Sequence, residues 1–350
     1  MTLPSAILLL IAGLLLLWKG ADVLVDNSVR LAKQLGVSSL VIGLTIVAMG
    51  TSAPEVAASI AAVLKGMGST AVGNVFGSNI ANLALVAGVA ALINPLQIDK
   101  KTMRREIPVM LIVSLVLLPV LYNGTISRPE GIVLLVIFVA LIVGTILTTK
   151  RKGISEHSPQ QQKQQEQQRQ ELQNASEQQQ PDKSTGCCAE PSSTAVKPAR
   201  MGRDIAFIVL GLVALAVGAK LTLSGATTIG KLIGLSDAVI GLTIIAVGTS
   251  LPELITCVVA ALKGHHAISI GNLVGSNIFN TLLVTGSASV VRPITVGRRF
   301  AGGVDYWIMV AVGVGFVLAA VAGKNTITRK AAVVFLLAYI CYTVYLVAYT

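Results

Sequence analysis

The chain has 350 residues, of which 53% are hydrophobic and only 12% charged, about half the roughly 25% charge of an average soluble domain. A soluble globule cannot hide that much apolar surface, and a disordered chain would not carry it. The formal charge of +11 does not point to nucleic acid, because the basic residues sit between the apolar stretches, where they set membrane orientation.

In chain order, the apolar stretches fall at 3–19, 37–64, 69–94, 107–122, 131–149, 205–222, 236–262, 267–291, 306–323 and 331–349. A helix needs about 20 residues to cross a bilayer, so the expectation is an all-α membrane protein with ten transmembrane helices. The runs are continuously apolar rather than alternating, which excludes an outer-membrane barrel. Residues 1–17 read as a first span and not a cleaved signal, since no basic residue precedes the apolar run. Between the fifth and sixth spans lies a different polymer, with twelve glutamines among the twenty-one residues 160–180. Such a segment has nothing to bury and is expected to be largely disordered. The domain division is therefore 1–149, a Gln-rich cytoplasmic linker at 150–203, and 204–350.

Orientation follows from Lys and Arg. With both termini outside and the linker cytoplasmic, 20 of the 27 basic residues lie inside, although Arg292, Arg298 and Arg299 argue locally against it. Four cysteines, Cys187, Cys188, Cys257 and Cys341, supply neither a disulfide framework nor a CxxC pair. Cys257 reads as packing, and His265 with His266 as a surface pair.

The two halves repeat each other. Residues 36–88 and 234–286 align without a gap at an offset of 198, with 28 of 53 positions identical. The identities gather on polar residues and glycines: GLTIVAMGTSAPE at 43–55 matches GLTIIAVGTSLPE at 241–253, and GNVFGSNIAN at 73–82 matches GNLVGSNIFN at 271–280. Five spans per half is an odd number, so the second copy must insert upside down. Inverted five-helix repeats of this kind mark transporters that bind near the midplane, with broken helices there.

Glu55 and Glu253 are the only ionisable side chains deep inside any expected span. Charge at that depth is expensive and marks a pathway or a partner. No Lys, Arg or His lies at similar depth, so the two carboxylates are either protonated or neutralised by a bound cation. Ser52 and Ser250, three residues upstream, also allow a capping box. Pro54 and Pro252 break the helix, with Gly50 and Gly248 loosening it, which is expected to free carbonyls near Ala48 and Ala246. Thr51, Ser52 and Glu55 then present oxygens on one side of the kink, as do Thr249, Ser250 and Glu253. The next span adds a polar stripe of Asn74, Ser78 and Asn82, matched by Asn272, Ser276 and Asn280. The stripe also fits polar glue between membrane helices, with Gly73, Gly77, Gly271 and Gly275 allowing close approach. An all-oxygen set suits a hard cation such as Ca²⁺, which takes 6–8 oxygens, and not a soft metal.

The paired GTSxPE and GNxxGSNIxN motifs resemble the cation/calcium exchanger superfamily, in particular its prokaryotic sodium/calcium exchanger branch, over nearly the whole chain outside the linker. The resemblance implies an antiporter of the inner membrane that exchanges calcium for sodium by alternating access, with spans one and six as the sliding element. It implies ion ligands at Thr51, Ser52, Glu55, Ser78, Asn82, Thr249, Ser250, Glu253, Ser276 and Asn280, with carbonyls at Ala48 and Ala246. Close relatives often carry Asp where this chain has Asn280, leaving two carboxylates instead of three. The partners are then calcium, sodium and the bilayer, with no nucleic acid, no resident cofactor and no enzymatic step. A proton/calcium exchanger, a potassium-dependent sodium/calcium exchanger and a cation channel remain the alternatives. An intramembrane hydrolase fits poorly, since GTSAPE is not a GxSxG elbow and no His lies in a span.

Overall fold

The computed structural model describes residues 2–152, 198–235, 240, 244, 246–297, 300 and 302–349. Most of the Gln-rich linker, with Cys187 and Cys188, lies outside the described residues, as do Arg298, Arg299 and much of 236–245.

The described chain is almost wholly helical. α1 spans Leu3–Leu35, opening with Pro4 in its first turn, where a missing N–H costs nothing. It ends on Gly36 at φ 64°, with the Val37 N–H returning to Ala32 O at 3.0 Å, a left-handed stop that glycine adopts without penalty. The helix therefore runs well past the expected boundary at residue 19 and carries Asp22 and Asp26 on its last turns. α2 (Ser39–Thr51) and α3 (Ala53–Leu64) form one apolar stretch bent by 41°. α4 (Gly68–Ile93) follows, then a helical turn at Lys100–Arg104, α5 (Glu106–Leu121) and α6 (Arg128–Lys152). The second half contains α7 (Pro198–Leu232), the short α8 (Ala246–Thr249), α9 (Leu251–Leu262), α10 (His266–Val291), α11 (Val304–Ala322) and α12 (Arg329–Tyr349).

Among the described residues, seven helices are long and apolar enough to cross a membrane, or eight with the bent pair taken as one. Ten were expected. The difference lies at α5, which has only 16 residues, and at the stretch preceding α8, where much of 236–245 is not described.

α4 and α10 are buried along most of their length, while α6 and α12 expose Ile, Leu and Val in quantity. The first pair is the centre of the bundle and the second faces lipid. α1 and α7 lie against each other along their length through small residues: a Cβ on Gly13 would fall 2.7 Å from Gly218 O, and one on Gly211 would fall 2.8 Å from Gly20 O. This is the close backbone approach that small residues allow between membrane helices.

Four two-residue strands tie the halves together. β1 (Leu96–Gln97) pairs antiparallel with β4 (Thr326–Ile327), and β2 (Thr125–Ile126) with β3 (Ile294–Thr295). β1 and β3 are equivalent in the repeat at the same offset of 198, and each pairs with a strand of the opposite half. Two arginines act the same way across the halves: Arg329 donates to Leu92 O and Ile93 O at the end of α4, and Arg128 donates to Val291 O at the end of α10.

Candidate ion-binding site

The break between α2 and α3 falls at Ser52 (φ −84°, ψ 2°), and its counterpart between α8 and α9 falls at Ser250 (φ −88°, ψ 6°). Pro54 and Pro252 each occupy the first turn of the following helix. There the missing N–H is harmless, but the ring forbids a continuous helix behind it. Glu55 and Glu253 thus sit in the first turns of α3 and α9, where the N-terminal end of each helix favours negative charge. Neither serine hydroxyl caps its own helix, so the capping-box alternative fails. The Ser52 hydroxyl instead crosses to the other half and donates to Glu253 Oε1 at 3.2 Å.

The Thr51 hydroxyl crosses in the same way and donates to Asn272 Oδ1 at 3.0 Å, whereas the Ser78 hydroxyl faces the Glu55 carboxylate of its own half, on which the Glu253 charge also acts. Asn82 lies in a π-helical turn, Ala81–Val86, packed against α9; Asn280 begins another, Asn280–Val284, packed against α3. An extra residue per turn is a frequent feature of functional sites in membrane helices and elsewhere. Asn74 and Asn272 hold the frame. Asn74 donates to Ser59 Oγ and to the Glu55 carbonyl, and Asn272 donates to Cys257 Sγ, the repeat counterpart of Ser59. The polar-glue reading therefore suits these two residues.

Thr51, Ser52, Glu55, Ser78, Asn82, Ser250, Glu253, Ser276 and Asn280 are each no more than 3% exposed. Thr249 is half-buried and lines a cavity of about 70 Å³ with Asn74, Ser78, Tyr339, Tyr342 and Thr343. Seven buried oxygens of the set lack a hydrogen-bond partner: both of Glu55, Oε2 of Glu253, the hydroxyls of Ser250 and Ser276, and the amide oxygens of Asn82 and Asn280. Buried polar atoms are normally satisfied, and a group of orphans calls for a ligand or ion. No ion pair reaches either carboxylate among the described residues. Nor do three His, Cys, Asp or Glu side chains cluster anywhere among them, so the site is two carboxylates in a field of neutral oxygens, as a hard cation prefers.

One expectation needs correcting. The Ala48 carbonyl is not freed by Pro54: it accepts the Ser52 N–H at 3.0 Å and lies 3.3 Å from the Thr51 hydroxyl. The carbonyl that Pro54 cannot satisfy is four residues back, at Gly50. Ala246 opens the four-residue helix α8.

A Cβ on Gly275 would fall 2.7 Å from Ala48 Cβ, and one on Gly271 would fall 2.7 Å from Leu40 O. α2 is thus pressed onto α10 at the end where both helices begin. At Gly77, the counterpart of Gly275, a Cβ would meet nothing within 4 Å among the described residues, which leave out most of 236–245, the counterpart of the first turns of α2.

The sequence profile described as "Sodium/calcium exchanger protein" matches residues 5–147 and 204–348. The chain belongs to the sodium/calcium exchanger family. It is therefore an integral membrane protein of a transporter family. Among similar proteins, it is 32% identical over 295 residues to the sodium/calcium exchanger MaX1 of Methanosarcina acetivorans, covering 83% of this chain and 84% of that one. It is 36% identical over 315 residues to the inner membrane protein YrbG of Escherichia coli, covering 89% and 87%. Its fold superposes on the sodium-calcium exchanger NCX_Mj in a structure soaked with 10 mM Na⁺ and zero Ca²⁺, with a TM-score of 0.75, 27% identity, and coverage of 97% of this chain and 98% of that one.

Proposed function

We propose that this exchanger carries calcium against sodium across the inner membrane, through a single site shared by two inverted five-helix halves. The observation that carries the reading is the pair of buried carboxylates, Glu55 and Glu253, surrounded by orphaned oxygens and without a basic partner. Their ligand set is Thr51, Ser52, Ser78 and Asn82 with Thr249, Ser250, Ser276 and Asn280, together with a backbone carbonyl near Ala246. The exchanged pairing of β1 with β4 and β2 with β3 supports the inversion, and the distribution of Lys and Arg supports termini outside and a cytoplasmic linker.

The mechanism follows from charge. An empty site would carry two bare carboxylates through a low-dielectric barrier, so passage from one open state to the other requires cations aboard. One Ca²⁺ or two Na⁺ balance the two charges. Each serves in turn from opposite sides, and the sodium gradient drives calcium out.

The test is calcium flux in proteoliposomes loaded with calcium. Efflux on a sodium jump at fixed pH, absent when the far side holds no exchangeable cation, is the expected result. Efflux on a pH jump alone would make the counter-ion a proton, and flux that ignores the far side would make the protein a channel.

A further inference from the structure

A cluster of charge outside the site bears on which face the site opens to. Lys263, at the end of α9, reaches two carboxylates of α1: Asp22 Oδ1 at 2.6 Å and Asp26 Oδ1 at 2.7 Å. Its ammonium also lies 3.4 Å from Asp22 O. These partners are 237 and 241 residues away in sequence, and they join one half's first helix to the other half's broken span. They lie on the face where α2 is pressed onto α10.

The repeat supplies the comparison. At the offset of 198, Lys263 corresponds to Lys65, Asp22 to Lys220 and Asp26 to Ser224. The lysine is kept and both carboxylates are lost, one of them replaced by a second lysine. The packing is unequal in the same sense. α1 lies against α9, whereas its counterpart α7 scarcely meets α3, and Lys65 and Lys220 are exposed.

We propose that Lys263, Asp22 and Asp26 form an ionic latch that biases the exchanger toward a state in which α2 and α10 close the latch face and the site is reached from the other. The inference rests on the inverted-repeat reading above. If the two access states exchange the roles of the halves, the opposite state parts α1 from α9 and brings α7 onto α3. That movement breaks both ion pairs and sets Lys220 toward Lys65, so both changes oppose it. With both termini outside, the latch face is cytoplasmic and the favoured state is open to the exterior. An exposed ion pair is modest, but two on one lysine, with like charge waiting in the alternative, shift a two-state equilibrium by roughly threefold to tenfold. The apparent affinity for ions falls on the latch face by that factor.

The test is hydrogen–deuterium exchange on the full chain, without ions, over 271–276 and 73–78. Lys263→Met should raise exchange at 271–276 and lower it at 73–78, each about threefold to tenfold. Lys220→Asp, at an exposed position, should act in the same direction by giving Lys65 a partner, and it carries the test alone if Lys263→Met does not fold. The charge exchange Asp22→Lys with Lys263→Asp should return both segments toward wild type. Unchanged exchange in Lys263→Met and Lys220→Asp, or a parallel rise in both segments, overturns the latch. Calcium flux of the wild type is measured alongside: loss of that flux with the exchange shifts intact removes the transport reading and leaves the latch standing.

Discussion

Glu55→Gln separates an ion ligand from a structural residue, because the two roles predict opposite signs in the ion-free protein. Both oxygens of Glu55 are buried and unpartnered, and the other carboxylate of the site acts on it. The substitution removes one of the two charges that would face calcium and places an amide where an acceptor stood. Deleting one partner of a buried, otherwise uncompensated charge interaction costs about 3–5 kcal/mol. At ~1.4 kcal/mol per decade, calcium binding should weaken by roughly two to three and a half orders of magnitude. Without ions the same change removes the cost of burying or protonating one of two neighbouring carboxyl groups, so the melting temperature at neutral pH should rise by about 2–4 °C for each kcal/mol relieved. Isothermal titration with calcium and ion-free thermal unfolding measure the two effects on one preparation. A half-saturation within threefold of wild type, or a lower ion-free melting temperature, would refute the assignment. Glu253→Gln should behave alike in binding, but gain less in the ion-free state, since the Ser52 hydroxyl already satisfies one of its oxygens.

The two glycines of the repeated GSN motif should differ. Gly275→Ala forces a methyl to within 2.7 Å of Ala48 Cβ and 2.8 Å of Leu44 O, an overpacking cost of about 1–3 kcal/mol, while Gly77→Ala meets nothing within 4 Å among the described residues; thermal unfolding with the order reversed would contradict the packing. Asn280→Asp adds a third carboxylate at a fully buried position, whose proton must leave before calcium binds; sodium-driven calcium flux in the variant should fall more steeply on acidification from pH 8 to 6 than in wild type. Burial holds the imidazole of His265, in the turn between α9 and α10, below its usual value, so the unfolded chain takes up its proton first. Its contribution to stability is complete above about pH 6.5 and drains as the pH falls through the lowered value. Melting measured from pH 8 to 5 should show this loss, and His265→Gln should reduce it.

The carboxylates, the serines and the amide stripe were legible because the repeat separates them from filler. Glu55 and Glu253 recur in a setting where Leu and Val have drifted, and their depth made them costly in either copy. The end of α1 was harder. Lys19, Asp22, Asp26 and Arg30 read as the end of a span, yet charges do not stop a helix outside hydrocarbon, and only Gly36 with its left-handed turn does so. The π-helical turns at Ala81–Val86 and Asn280–Val284 leave no compositional mark, being an extra residue in an otherwise ordinary ladder. Ala48 was misjudged for a local reason: proline in a first turn leaves the carbonyl four residues back without its donor, and Ser52 N–H still closes on Ala48. Two basic residues on the expected outer side also gain an explanation. Arg292 donates to Leu64 O at 3.3 Å and Arg128 to Val291 O at 3.4 Å, so their positions serve helix ends and weigh little in an orientation count.

A repeated sequence need not give a symmetric site, and here transport requires that it does not. If both copies of the GSN motif were packed as tightly as Gly275 is on Ala48, the carboxylates would be sealed from both faces. If neither were so packed, the orphaned oxygens would line a continuous polar path, which is how a pore conducts. The ligands proposed above are near-identical on the two halves, which would make the alternative packings close in energy and give an ion equivalent coordination whichever face is open. The residues that differ between the copies then decide which packing is preferred, and the largest difference in charge is the replacement of Asp22 by Lys220. Symmetry at the ligands with asymmetry at the flanks is what allows one site to serve two faces without connecting them.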